Sequence, residues 1–344
     1  MSSPSTGRLL DGDPQMLATA LRAWAAIPPD LTLTDEGAPP VAPRRRTLAQ
    51  PVSVTGPGTF FGKTQRTLRC EPSDQPGWWI QRTDQPDSLP TQVSIRNVWT
   101  TGEIVSNIVL RSGSPHNYLR MVEHLIALRL GLELDDLLLK VDASDPPLFD
   151  RGSLDLAEGL LAAGFREREE PARFVTVREP VSLVAPNGAF LVLRPPADDQ
   201  PRLWLDCAID FPNAIGRQRL RIPLTPAHFM TGAVARTNTT AAKKWYCRTI
   251  GKLFADIRNL GYTEHNVLVA GRRRYMNAPR LLHDGKSLEA VWHRAVLDLL
   301  AALALVEDGR LVGEVTSYKA GHALDVKCVT RLYQQDLLTP FIPG

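Results

Sequence analysis

The sequence predicts an α+β fold made of two related halves. Three observations carry this. The chain has 344 residues, enough for two domains of ordinary size. Strand-like and helix-like segments follow one another in the order strand, strand, helix, strand, helix, and that order recurs in the second half. Composition is that of an ordinary globular chain, with 43% hydrophobic and 22% charged residues, which excludes a disordered or fibrous chain. The longest unbroken apolar run, Leu299 to Val306, is far too short to cross a bilayer. A net charge of +3 demands neither nucleic acid nor an anionic membrane as partner.

Residues 1–45 are expected to form a proline-rich arm. Seven of the 28 prolines fall there, and one short helical pattern, Met16 to Trp24, places Leu17, Leu21 and Trp24 at helical spacing. Arg44-Arg45-Arg46 closes the arm and reads as a solvated hinge. From Arg46 to Arg69, polar and apolar residues alternate around Thr55-Gly-Pro-Gly-Thr59, the pattern of two strands joined by a turn. Further strands are expected within 91–111. Residues 117–130 carry Tyr118, Met121, Leu125 and Leu128 on one helical stripe, stopped by Gly131. A strand over 136–141 and a helix over 154–163, stopped by Gly164, complete the first half.

The second half reads as strands at 173–184, 188–194, 202–211 and 217–223 and a helix near 226–234. A helix near 241–259 and a strand near 265–270 follow. A long helix over about 287–306, a strand at 310–318 and a last helix at 321–333 close it. Cys70, Cys207, Cys247 and Cys328 are scattered and read as reduced thiols. The N-terminus lacks the pattern of a secretory signal, so a cytoplasmic address is expected.

Three segments could carry chemistry. In Met121-Val-Glu-His-Leu125, His124 flanks the apolar stripe, and Glu123 points about 100° away, toward solvent in the plain reading. In Glu289-Ala-Val-Trp-His-Arg-Ala-Val-Leu-Asp298, His293 and Asp298 are five apart, about 140° in a regular helix and a poor pair for one ion. A π-bulge would return them to one face. Otherwise Arg294 and Asp298, four apart, make a surface ion pair. In Ser317-Tyr-Lys-Ala-Gly-His-Ala-Leu-Asp325, the glycine sets His322 on a turn, where an imidazole can be oriented as a general acid, and Lys319 could meet a phosphate.

That last segment resembles the C-terminal signature of the UDP-3-O-acyl-N-acetylglucosamine deacetylase family. Five more segments are similar in the same order: RTLAQPVSVTGPGTFFGK, MVEHLIAL, DPPLFDRGS, LTPAHFMTGAVART and EAVWHRAVLDLLAALAL. The match runs from Arg46 to Tyr333. It implies two similar α+β domains, each a small sheet packed with helices, at 46–170 and 171–335, with the active site between them and an acyl-chain insert at about 240–285.

The resemblance also implies a zinc-dependent deacetylase of lipid A biosynthesis that acts on a UDP-linked acylated amino sugar. Zn2+ would be held by His124, His293 and Asp298. Glu123 would be the general base, and His322 would stabilise the oxyanion and protonate the leaving amine. Thr237 would donate a hydrogen bond to the tetrahedral intermediate. Lys319 would face the diphosphate and Phe211 the uracil. A monomer is expected, with no nucleic-acid partner and at most transient contact with a membrane surface.

Two alignments of the last long helix stay open. One makes His293 the ligand and inserts a residue before Asp298; the other puts Arg294 in the ligand's place and breaks the site. Ala302 stands where the family has the aspartate that orients its catalytic histidine, Asn238 replaces a phenylalanine and Phe60 a histidine. A paralogue that keeps the fold and binds a UDP-sugar or a partner protein without turnover is the alternative.

Overall fold

Two sheets organise the protein. The computed structural model describes residues 6–59, 64–101, 107–240 and 263–344. The helix expected near 241–259, Cys247 and Phe60 lie outside the described residues. A five-stranded sheet runs in the order Val52–Pro57, Gln65–Glu71, Leu137–Val141, Trp78–Arg82, Thr91–Gln92. The expected hairpin is present between its first two strands, with Thr55 opposite Thr67 and Pro57 opposite Gln65. Arg44–Leu48 stands outside it and pairs with Phe165–Pro171. Leu137–Val141 and Trp78–Arg82 bury alternate residues, as a sheet with one core face must.

The seven-stranded sheet runs Arg8–Asp11, Val181–Val184, Phe190–Arg194, Gly313–Tyr318, Leu203–Phe211, Gly216–Pro223, Leu31–Thr32. Both edges come from the N-terminal 45 residues, each pairing in parallel with its neighbour. The central strands are buried on both faces. Leu183, Leu191, Leu193, Cys207 and Ile209 face the main core, while Val184, Phe190, Val192, Ala208 and Tyr318 face a second apolar cluster with Leu17, Ala20 and Trp24. A strand that reads as a continuous apolar run needs a cover on each side. The helix Pro14–Ala25 is that cover. It starts sharply because the Asp13 carboxylate accepts hydrogen bonds from the amides of Gln15 and Met16, at 2.6 and 3.1 Å, and Pro14 occupies its first turn.

Three further elements position the site. The helix expected over 117–130 spans only Glu123–Gly131, and Tyr118–Leu119 is a short strand. Met121 causes the late start, because its φ of 58° is left-handed and cannot continue a right-handed helix. The long helix begins as Glu289–His293, becomes π-helical over Arg294–Leu299, and returns to α geometry over Leu300–Leu303. It is buried throughout except at Asp298, and it packs against Glu123–Gly131 and against the Leu203–Phe211 strand. The helix His322–Gln334 follows the Gly313–Tyr318 strand. Cys70, Cys207 and Cys328 are free thiols, all buried. Among the described residues, no helix is long and apolar enough to cross a membrane.

Candidate active site

The π-helical turn sets His293 and Arg294 in different surroundings. A π turn advances one residue more than an α turn, so residues five apart share a face. His293 and Asp298 do so here, with Nδ1 and Oδ2 3.3 Å apart. Arg294 does not make the expected ion pair with Asp298. It turns into the protein, where its guanidinium donates to both carboxylate oxygens of Asp325, at 2.6 and 2.5 Å, and to Ser317 Oγ. The pair is fully enclosed, with Arg294 at 4% and Asp325 at 1% exposure.

His124 enters from the first turn of its helix. Its Nε2 lies 3.1 Å from His293 Nε2, and the Thr237 hydroxyl lies 3.0 Å from His293 Nε2 and 3.4 Å from His124 Nε2. The Ser153 hydroxyl donates to the carbonyl of His124 and steadies that turn. Thr237 is held by the residue before it. Arg236 is buried and donates to both oxygens of Glu289, the first residue of the helix that carries His293. No motif or spacing along the chain points to this pair.

The acid-base groups flank the histidines. His322 is the first residue of its helix, and its Nε2 lies 3.3 Å from Asp298 Oδ1 and 3.8 Å from Glu123 Oε1. Glu123 is buried and not solvated, as plain helix periodicity suggested; its carboxylate accepts the backbone N–H of Ile108. Burial pushes its pKa up, against the pull of His322. Burial, and then the neighbouring His293, push the His124 imidazole down to about 3, so it is neutral at ordinary pH, as a metal ligand must be. Burial opposes ionisation of Asp298, but the charges of His293 and His322 outweigh it and hold the carboxyl well below the usual range.

These donors can be tested against a tetrahedral zinc ion. Two nitrogens bound to one such ion stand about 3.3 Å apart, close to the 3.1 Å between His124 and His293. Asp298 lies on the far side of the His293 ring, between that ring and His322. Among the described residues no three His, Cys, Asp or Glu side chains are already arranged around one point. His124 Nδ1 and His322 Nδ1 are buried with no hydrogen-bond partner. The two histidine nitrogens are spaced as a shared metal would hold them, while the Asp298 carboxylate faces the other side of the His293 ring, toward His322.

Lys319 and Phe211 stand apart from this cluster. No hydrogen bond or ion pair among the described residues joins either to it. Phe211 ends the Leu203–Phe211 strand and is half-buried. Lys319 follows the Gly313–Tyr318 strand with a left-handed φ of 52°, and its ammonium lies 5.7 Å from the centre of the Tyr318 ring.

Residues 45–334 match the model of a family described as UDP-3-O-acyl N-acetylglycosamine deacetylase. The chain is similar to proteins named UDP-3-O-acyl-N-acetylglucosamine deacetylase. It is 29% identical to one from Psychrobacter sp. (strain PRwf-1) over 84% of this chain and 92% of that protein. It is 28% identical to one from Actinobacillus pleuropneumoniae serotype 3 (strain JL03), over 87% and 93%. It is also 28% identical to one from Leptospira biflexa serovar Patoc (strain Patoc 1 / Ames), over 86% and 93%.

Proposed function

Because the chain belongs to the UDP-3-O-acyl N-acetylglycosamine deacetylase family, we propose that it removes the N-acetyl group from a UDP-3-O-acyl-N-acetylglucosamine-like substrate, a step of lipid A biosynthesis. The observation that carries the reading is the meeting of His124 and His293 Nε2 at 3.1 Å, with Thr237 on both and with Glu123 and His322 alongside. His124, His293 and Asp298 would hold Zn2+, with Asp298 turning from His322 to do so. When bound, zinc lowers the pKa of a water molecule toward about 7 and polarises the amide carbonyl.

The remaining work belongs to the chain's own groups. Glu123 Oε takes the proton from the attacking water, and its raised pKa suits a base that must hold that proton in the next step. The water oxygen bonds to the acetyl carbon. The Thr237 hydroxyl donates to the oxygen on which charge develops. His322 Nε2 gives a proton to the sugar nitrogen as the C–N bond breaks, leaving acetate and a free amine. Lys319 meets the diphosphate and Phe211 lies against the uracil. The protein works in the cytoplasm as a monomer of two domains, 46–170 and 171–335, with residues 8–32 built into the sheet of the second, with transient contact at a membrane surface and no nucleic-acid partner.

A second reading, a chain that binds the UDP-sugar without turnover, is supported by Asp298 facing His322 and by Ala302. Purified protein reconstituted with zinc and assayed for acetate release separates the two. The first reading expects one equivalent of zinc and turnover that stops on chelation. Less than about a tenth of an equivalent would sink it.

A further inference from the structure

We propose that the N-terminal segment, outside the family-matched stretch, forms a wall of the nucleotide end of the substrate site, so that Gln15, Met16 and Thr19 help decide which nucleotide sugar is taken. This rests on the reading above, in which Lys319 meets the diphosphate. The segment is anchored firmly enough to act as a wall. Its strands Arg8–Asp11 and Leu31–Thr32 form both edges of the seven-stranded sheet. Trp24 meets Phe190 edge-on, and the Arg219 guanidinium stacks on the Trp24 ring at 3.8 Å. Lys327 and Arg331, on the helix that begins with His322, both pair with Asp11. Gly12, with φ 104°, passes so close to Val184 that a Cβ would meet its carbonyl oxygen at 2.2 Å.

Between the Pro14–Ala25 helix and the end of the Gly313–Tyr318 strand lies a cleft of about 500 Å³, the size range of small-molecule sites. Asp13, Gln15, Met16, Thr19, Asn187 and Lys319 line it. Its chemistry is that of a nucleoside diphosphate site. Lys319 is the cation among these residues. Its left-handed backbone, costly for a lysine, takes the side chain out of the strand's alternation. The Asp13 carboxylate accepts both helix amides on Oδ1, and the helix N-terminus offsets part of its charge. Asn187 spends its carbonyl oxygen on the Ala189 amide, which leaves its NH2 to donate. The Gln15 amide makes no side-chain bond among the described residues, and Met16 offers an adaptable apolar surface. Lys319 is three residues from His322, at most about 11 Å of chain, a reach that a nucleotide sugar held at the cleft can span.

Thr19 is exposed and sits mid-helix, so Thr19→Trp fills the cleft without touching the core. The zinc-reconstituted full chain is compared with Thr19→Trp and with Ala26→Trp, at the other end of the helix. UDP binding is read by calorimetry, and KM and kcat with the acylated UDP-sugar. Thr19→Trp is expected to weaken UDP and raise KM at least fivefold, with kcat within twofold; Ala26→Trp changes neither. Unchanged UDP affinity and KM in Thr19→Trp, or no UDP binding by the parent protein, overturns the proposal while deacetylation stands. UDP binding that Thr19→Trp weakens, without turnover in any form, overturns deacetylation and leaves the cleft.

Discussion

Replacing Asp325 with alanine should destabilise the protein by about 3–5 kcal/mol, because it leaves the Arg294 charge buried without a partner. The magnitude follows from the enclosure of the pair. Arg294 keeps its charge in a buried position only because Asp325 offsets the burial that opposes it, and burial in turn pushes the Asp325 carboxyl up. The Ser317 hydroxyl, at 3.1 and 3.3 Å from two guanidinium nitrogens, cannot neutralise it. Urea unfolding, read by far-UV circular dichroism, measures the loss. The companion variant is Arg294→Met with Asp325→Leu, which removes both charges and should recover most of the stability. The pair also ties the first residue of the π turn to the His322 helix, so the double variant should still lose zinc affinity in a chelator competition. A loss under about 1 kcal/mol in Asp325→Ala would show that water reaches the pair. A double variant with full zinc affinity would show that the π turn does not need it.

Three further outcomes are expected. Glu123→Gln should lower kcat by about 10²- to 10⁴-fold with zinc content unchanged by metal analysis; parental turnover would remove Glu123 from the chemistry. Trp24→Ala should cost about 3 kcal/mol, as for a buried aromatic; a thermal midpoint equal to the parent's would mean the N-terminal helix adds nothing to the fold. Gly131→Ala should cost about 1–3 kcal/mol, since its Cβ would stand 2.2 Å from the buried Phe229 ring, and urea unfolding without loss would refute that contact.

Much of the architecture is written in local pattern. The alternation in Val52–Pro57 and Gln65–Glu71, the glycine stop after Ala163, and the paired motifs Glu123-His124 and Gly321-His322 are all visible along the chain, whereas Gly131 does not stop its helix, which includes it and ends before the left-handed Glu133. The N-terminal 45 residues show where such reading weakens. Their prolines suggest an arm, yet two short strands, Val181–Val184 and Phe190–Arg194, are buried on both faces and ask for a second cover. That signal lay in the strands, far from the segment that answers it. The late start of the Glu123 helix was hidden for a different reason: Met121 fits the helical stripe as a side chain, and only its backbone angle takes it out.

The sequence by itself determined which chemical groups are available: two histidines and an aspartate able to hold a metal, a glutamate beside one of them, and a histidine after a glycine. It could not choose between His293 and Arg294, because α and π turns use the same local residues and differ in what each side chain finds beyond the helix. Tertiary structure decided where each side chain goes. Arg294 finds Asp325, 31 residues further on, in an interior where a guanidinium must have a partner. The turn that lets it reach that partner also brings His293 and Asp298 onto one face.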